Sequence, residues 1–375
     1  MGMSWGRHKS SGDAGVRRPS HIRRGAVLAV AISLLASLVL LKLNGGQNAL
    51  RQLAKVDWRM FALGLALVML TWVLDGVRMK VLVQALGGRL DIVKATRVSV
   101  LGAFVASVTP FDSGGEPFQV YLLTAPDFPM GQATAVVAVK TIINALARVM
   151  LGMMAAAMLL LSNSSWSLSG PLRVAIVTGI SIYVGIFGAF LYLLVRPDRI
   201  SALVVPAMRN RVTLRFFRRE SIETAIDRLN RELVEFRQAL DRFVTDYKVE
   251  LAKVMLISIA CWLFTALVPA VLLRGLGYRG SVLRVMAVTV IFYLAAAYAP
   301  TPGSSGAAEL GFAALFSTIA PRTVLGLFVM VWRVITYYFS LAVGGALMAL
   351  GMFTPNRGID TDGPRPHGPG DAARL

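Results

Sequence analysis

Residues Val108–Leu123 read VTPFDSGGEPFQVYLL, a polar, glycine-rich and proline-bearing interruption in an apolar chain. A partial echo stands at Tyr298–Leu310, YAPTPGSSGAAEL. Aligning Thr109-Pro110 with Thr301-Pro302 also places Ser113 on Ser305 and Gly114 on Gly306. Glu116 and Glu309 then fall one position out of register. Hydrophobic segments broken at corresponding points of two halves point to a transporter's binding site.

The surrounding composition sets the solvent. Hydrophobic residues make up 56% and charged residues 16% of 375, with mean hydropathy +0.64. Several apolar runs approach the ~20 residues that cross the hydrocarbon core of a bilayer. The expected fold is an all-α polytopic membrane protein. A net charge of +19 reads as topology-setting Lys and Arg that meet anionic lipid, not as a nucleic-acid surface. The single cysteine, Cys261, excludes an intrachain disulfide and a cysteine metal cluster. His8, His21 and His367 all lie in the terminal tails, so neither a histidine relay nor a histidine metal site is expected in the membrane. No cofactor is implied.

Outward from the first break, the chain divides into a basic cytoplasmic tail (1–24), a transmembrane region (25–352) and a Pro-, Gly- and Asp-rich tail (353–375) expected to be disordered. Gly25–Leu41 reads as an uncleaved first span and Met60–Val83 as the second. Asp75 and Arg78, at i and i+3 near its end, read as a juxtamembrane ion pair in preference to a transport site. Val98–Val108 covers only about 16 Å of helix. Pro117 suits a helix's first turn, and Ser113 and Glu116 have capping-box spacing. A short helix is therefore expected from near Glu116 through Leu123, forming a re-entrant hairpin.

Ala133–Leu161 and Leu172–Val195 follow as spans around the uncharged outer loop Asn163–Pro171. Residues 196–250 form a basic amphipathic cytoplasmic segment in which Ile222, Ile226, Leu229, Leu233, Phe236, Leu240 and Phe243 repeat at heptad spacing. This stripe fits a surface helix packed on the membrane body, an interfacial helix on anionic lipid, or a dimerising coiled coil. Leu251–Leu273 crosses outward. Val282–Tyr298 and Gly306–Ala320 form a second hairpin from the outer side, and Val324–Leu350 returns inward. The plan has about six spans, two oppositely inserted re-entrant hairpins and both termini in the cytoplasm, an inverted repeat that keeps most Lys and Arg inside.

Irregular backbone at membrane depth must face protein or water. The glycines at 114, 115, 303 and 306 permit close approach or positive φ. A short helix starting at each tip presents free N–H groups to an anion. Arg148 and Arg333 add full charges on neighbouring helices and need partners, for which Glu116 and Glu309 are the candidates and an anionic headgroup the alternative. The competing reading makes the breaks tight packing points, with both glutamates as caps and counter-ions.

The stretches TPFDSGGEPFQVYLL, ATAVVAVKTIINALAR, PTPGSSGAAELGFAALF and WRVITYY resemble the flippase-like family related to the transmembrane region of lysylphosphatidylglycerol synthases, over roughly residues 25–352. The resemblance maps Gly114, Gly115, Glu116, Pro117, Gln119 and Tyr121 onto the first motif. It maps Pro300, Pro302, Gly303, Gly306, Glu309 and Gly311 onto the second, and Arg148 and Arg333 onto helix-borne arginines. Many relatives carry Arg where Gln119 stands. The resemblance implies lipid translocation in full-length synthases, from which neither lysyl transfer nor the lipid cargo carries over to this chain; the expected location is a cell (plasma or inner) membrane. The chain ends about 20 residues past the last expected helix, so no synthase domain and no enzymatic role are expected.

The leading expectation is a lipid flippase or translocase moving an anionic or amphiphilic lipid between leaflets. The alternatives are an ion-coupled small-solute transporter, or a non-transporting partner of a lipid- or glycan-modifying enzyme. The residues expected to carry transport are Gly114, Gly115, Glu116, Gln119, Tyr121, Arg148, Gly303, Gly306, Glu309 and Arg333. Expected partners are membrane lipids with anionic headgroups, with a homo-oligomer or an enzyme engaged through the 212–246 helix.

Overall fold

The computed structural model describes residues 30–39, 57–125, 128–161, 219–296 and 301–351, with isolated residues at 42 and between 177 and 206. The expected tails, the Asn163–Pro171 loop and most of the Leu172–Val195 span lie outside the described residues. The described helices are α1 (Val30–Val39), α2 (Trp58–Ala85), α3 (Ile92–Val108), α4 (Gly115–Leu123), α5 (Met130–Leu161), α6 (Arg219–Thr245), α7 (Lys248–Gly275), α8 (Val282–Ala295), α9 (Ala307–Phe316) and α10 (Arg322–Ala349). No β-strand occurs among the described residues. Four of these helices are long and apolar enough to cross a membrane: α2, α5 through Leu159, α7 and α10.

The chain runs through one pattern twice. A 28-residue helix (α2, α7) ends at a Leu-Gly turn, where Gly87 and Gly277 both have φ 87°. A capped helix follows: Asp91 accepts from the Val93 amide at 2.9 Å and Ser281 from the Arg284 amide at 3.3 Å. That hydrogen bond from Val93 also holds the Asp91 carboxyl below its ordinary range. Next come a 3-10 turn (Pro110–Asp112, Pro302–Ser304), a short helix (α4, α9) and a long helix (α5, α10). The two 3-10 turns share an unusual backbone. Phe111 and Gly303 have φ 58° and 57°, and Asp112 and Ser304 both have φ 53°. The Thr-Pro-x-x-Ser-Gly echo is thus an echo of conformation.

The equivalent helices α2 and α7 lie antiparallel against one another. The Asp57 amide at the start of α2 donates to the Gly275 carbonyl at the end of α7, at 3.1 Å. At the other end, Leu86 and Gly87, just past α2, share a cavity with Tyr247 and Glu250 at the start of α7. Two apolar cores flank this pair. One gathers Leu101, Val120, Leu123, Val136, Phe236 and Phe243 around the hairpin α3–α4. The other gathers Leu272, Val288, Phe312, Phe316, Phe328 and Trp332 around α8–α9. Small residues let the hairpins close. A Cβ on Gly115 would sit 2.9 Å from the Gly102 carbonyl oxygen, and one on Gly344 would sit 2.3 Å from Phe104 Cβ.

Helix α6 lays Phe236, Ala239 and Phe243 into the first core, so this part of the heptad stripe is covered by its own chain. Glu232 accepts the Gly131 amide at the start of α5. Burial and the nearby Glu232 charge raise the Glu235 carboxyl above its ordinary range.

Candidate functional site

The two breaks meet. Their 3-10 turns pack together, and the Tyr337 hydroxyl of α10 donates to the Ser107 carbonyl of α3 at 3.3 Å. A Cβ on Gly303 would lie 2.7 Å from that same carbonyl oxygen. Tyr337 is set by a π-turn, Val334–Tyr338, in the middle of α10. The extra residue per turn re-aims side chains, and such turns recur at functional positions.

The second break is closed by charge. Glu309 is fully buried, and Arg333 is 4% exposed. Arg333 Nη2 donates to Glu309 Oε2 at 2.9 Å, and Nε lies 2.8 Å from Oε1. The latter contact is ionic, without the alignment of a hydrogen bond. The guanidinium also reaches the Gly303 and Ser304 carbonyls at 3.4 and 3.3 Å. Glu309 Oε2 accepts the Gly306 amide at 2.6 Å, and Ser33 of α1 donates to Oε1. Tyr338 donates in turn to Ser33 at 2.9 Å. Gly306, at φ 83°, starts this arrangement. Buried charges of this kind are tolerated when every lone pair is matched.

The first break is built differently. Thr109 Oγ1 accepts the Gly114 amide at 3.0 Å, and Gly114 is the residue before α4. The expected capping box does not form. The Ser113 hydroxyl turns back to the Pro110 carbonyl at 2.8 Å, and Glu116 sits in the first turn of α4, exposed. A cavity of about 260 Å³ opens beside it. Its walls are Gly115, Glu116 and Gln119 of α4, Gly102 and Ala106 of α3, Asp75 and Arg78 of α2, Lys140 and Asn144 of α5, and Trp262 and Thr265 of α7. Pro269 withholds the amide that would bond the Thr265 carbonyl in an unbroken α7.

A buried charge network forms one wall. Asp75 binds Arg78 Nη2 at 2.5 Å through Oδ1 and Lys140 Nζ at 3.1 Å through Oδ2. Lys140 also donates to Gln119 Oε1 at 2.8 Å. Arg78 Nη1 donates to Asn144 Oδ1 and Ser258 Oγ, each at 2.9 Å. Trp262 Nε1 donates to Asn144 Oδ1 at 3.1 Å, and Arg148 lies over the Trp262 ring with Cζ 4.9 Å from its centre. Two cations here share one fully engaged carboxylate, and Glu116 stands exposed at the rim.

The sequence-derived residues therefore separate into two groups. Gly115, Glu116 and Gln119 line the cavity, Gly114 precedes them, and Arg148 stacks on a lining tryptophan. Gly303, Gly306, Glu309 and Arg333 form the closed cluster. Tyr121 lies one turn beyond Pro117, half exposed and stacked on Phe118 at 6.1 Å. Asp75, Arg78 and Lys140 were not among them. The expected Asp75–Arg78 ion pair forms, and Arg78, 5% exposed, is bound as well to α5 and α7, so the pair belongs to a network between helices. Its signal was present, since an ionisable side chain within an apolar span is a site candidate on energetic grounds alone.

A long-helix protein with paired broken helices meeting beside a charged cavity belongs to the class of polytopic membrane proteins. The family described as the lysylphosphatidylglycerol synthase TM region matches residues 26–344, and this chain belongs to that family. A protein of Archaeoglobus fulgidus named UPF0104 membrane protein is 26% identical over 325 residues, covering 85% of this chain and 94% of that relative. No solved structure matches.

Proposed function

We propose that this protein is a lipid translocase that passes the anionic headgroup of an amphiphile along the first break, with the acyl chains left in the bilayer. The carrying observation is the cavity in which Gly115, Glu116 and Gln119 face the Asp75–Arg78–Lys140 network. Lys140 already donates to Gln119, and a phosphate entering the cavity would offer it a stronger, charge-assisted acceptor. Glu116 at the rim then moves away from the incoming negative charge and restores the balance when the headgroup leaves.

The antiparallel α2–α7 pair, the matching turns and the short helices support a plan of six spans with two oppositely inserted hairpins. The Lys- and Arg-rich segment 196–253, with 13 such residues, supports an inner-membrane placement with that segment and both termini in the cytoplasm. The synthase family name contributes the lipid class, by likeness only. Tyr121 and Arg148 border the path, and the closed Glu309–Arg333 cluster anchors the opposing tip.

The test is leaflet-resolved reduction of fluorescent anionic lipids in proteoliposomes. Wild-type protein is expected to accelerate exchange over empty vesicles, and Glu116→Gln to abolish that gain at unchanged reconstitution. Equal rates in protein-containing and empty vesicles, with a proton or sodium gradient applied, would overturn the reading.

A further inference from the structure

A second and larger cavity, about 580 Å³, lies away from the first, where α2 ends and α6 turns into α7. Val81, Gln84, Ala85, Leu86 and Gly87 form one side, and Arg242, Tyr247, Glu250 and Lys253 the other. Both α2 and α7 are span-length helices, and this is where they terminate, so the cavity lies at headgroup depth. Its charge is net positive: Arg242 and Lys253 face a single carboxylate. Glu250 approaches Lys253 only to 4.0 Å, and the Lys253 side chain is 58% exposed. Helix α7 also begins here without a side-chain cap, because Tyr247 makes no capping hydrogen bond. Its first amides and dipole end therefore add to the positive side.

The rim is apolar. Val249 and Leu256 are 62% and 67% exposed and flank Lys253 at i−4 and i+3, on one face of α7. A soluble anion has no use for such a strip, whereas a lipid places phosphate in the cavity and acyl chains along the helix face.

We infer that this cavity is a fixed binding site for the phosphodiester headgroup of an anionic lipid, separate from the translocation path. Arg242, Lys253 and the α7 amides would bind the phosphate, and Val249 and Leu256 would hold the acyl chains. The bound lipid would tie α6 to the α2–α7 seam.

The experiment uses the full chain in detergent, with its thermal midpoint followed during titration. Short-chain phosphatidylglycerol is expected to raise the midpoint, with short-chain phosphatidylcholine and inorganic phosphate leaving it unchanged. Arg242→Gln with Lys253→Gln, both at exposed positions, should weaken the phosphatidylglycerol effect about thirtyfold. Arg279→Gln, at an exposed position past the opposite end of α7, should retain it in full. Equal shifts from both lipids, a shift from inorganic phosphate alone, or an undiminished shift in the double variant would each overturn the inference.

Discussion

Glu309 is enclosed by Arg333, Ser33 and the Gly306 amide, whereas Glu116 stands exposed at the cavity rim. Both belong to the first turn of a short helix after the same turn. A one-residue offset rotates a side chain by about 100° about the helix axis, which separates a core-facing carboxylate from a cavity-facing one. Replacing Glu309 by Gln should leave Arg333 buried against a neutral partner and cost about 3–5 kcal/mol, read as a lowered thermal midpoint. Adding Arg333→Met should recover part of that loss. Phe111 supplies a second residue-scale expectation. It holds φ 58°, where its counterpart is Gly303, and half its surface is exposed. Phe111→Gly should stabilise the protein by about 1 kcal/mol by relieving left-handed strain. Slower lipid exchange in that stabler variant would show that the strain serves the transport cycle.

Among the elements, the long helices were legible because uninterrupted apolar runs leave few alternatives to a span. The short helix was legible too: Pro117 cannot enter a helix beyond its first turn, and α4 begins at Gly115. The cap was not legible. Ser113-x-x-Glu116 has capping-box spacing, but Thr109 takes the Gly114 amide first, and it is Glu309, with Gly306 and not a serine at the cap position, that closes back on its own helix start. The wider bonding of Arg78 was not legible, because periodicity reports a helix but not which neighbours meet it. Only the arrival of Asn144 and Ser258 from α5 and α7 makes its burial affordable. Helix packing carries its own prediction. A Cβ on Gly76 would sit 2.8 Å from the Thr96 backbone nitrogen, which cannot rotate away. Gly76→Ala should force α2 and α3 apart at a cost of about 1–3 kcal/mol, measured as lost thermal stability. Gly87→Ala would strain only its turn, since open space surrounds it.

Across the whole molecule, the repeat sets an orientation that can be tested. Arg89 and Arg279 follow the matching Leu-Gly turns of two antiparallel helices, and both are exposed. In a Cys261→Ala background, Arg89→Cys and Arg279→Cys should react with a membrane-impermeant thiol reagent from opposite sides of intact vesicles. Labelling of both from one side would reject an inverted insertion. The pairing of the breaks was legible in the Thr-Pro-x-x-Ser-Gly echo, while the difference in how their glutamates are partnered was not. That difference depends on Ser33 and Arg333, which are remote in sequence from both breaks.

Helices α2, α5 and α7 each pass through both apolar cores, and the remaining described helices sort mainly to one side or the other. The molecule is therefore two blocks sharing a common rail. Blocks joined this way slide more readily than they swing, because swinging would strip apolar side chains from one end of all three shared helices at once. Spectroscopic probes placed within one block should keep their separation through a transport cycle, and probes on different blocks should shift along the direction of α2.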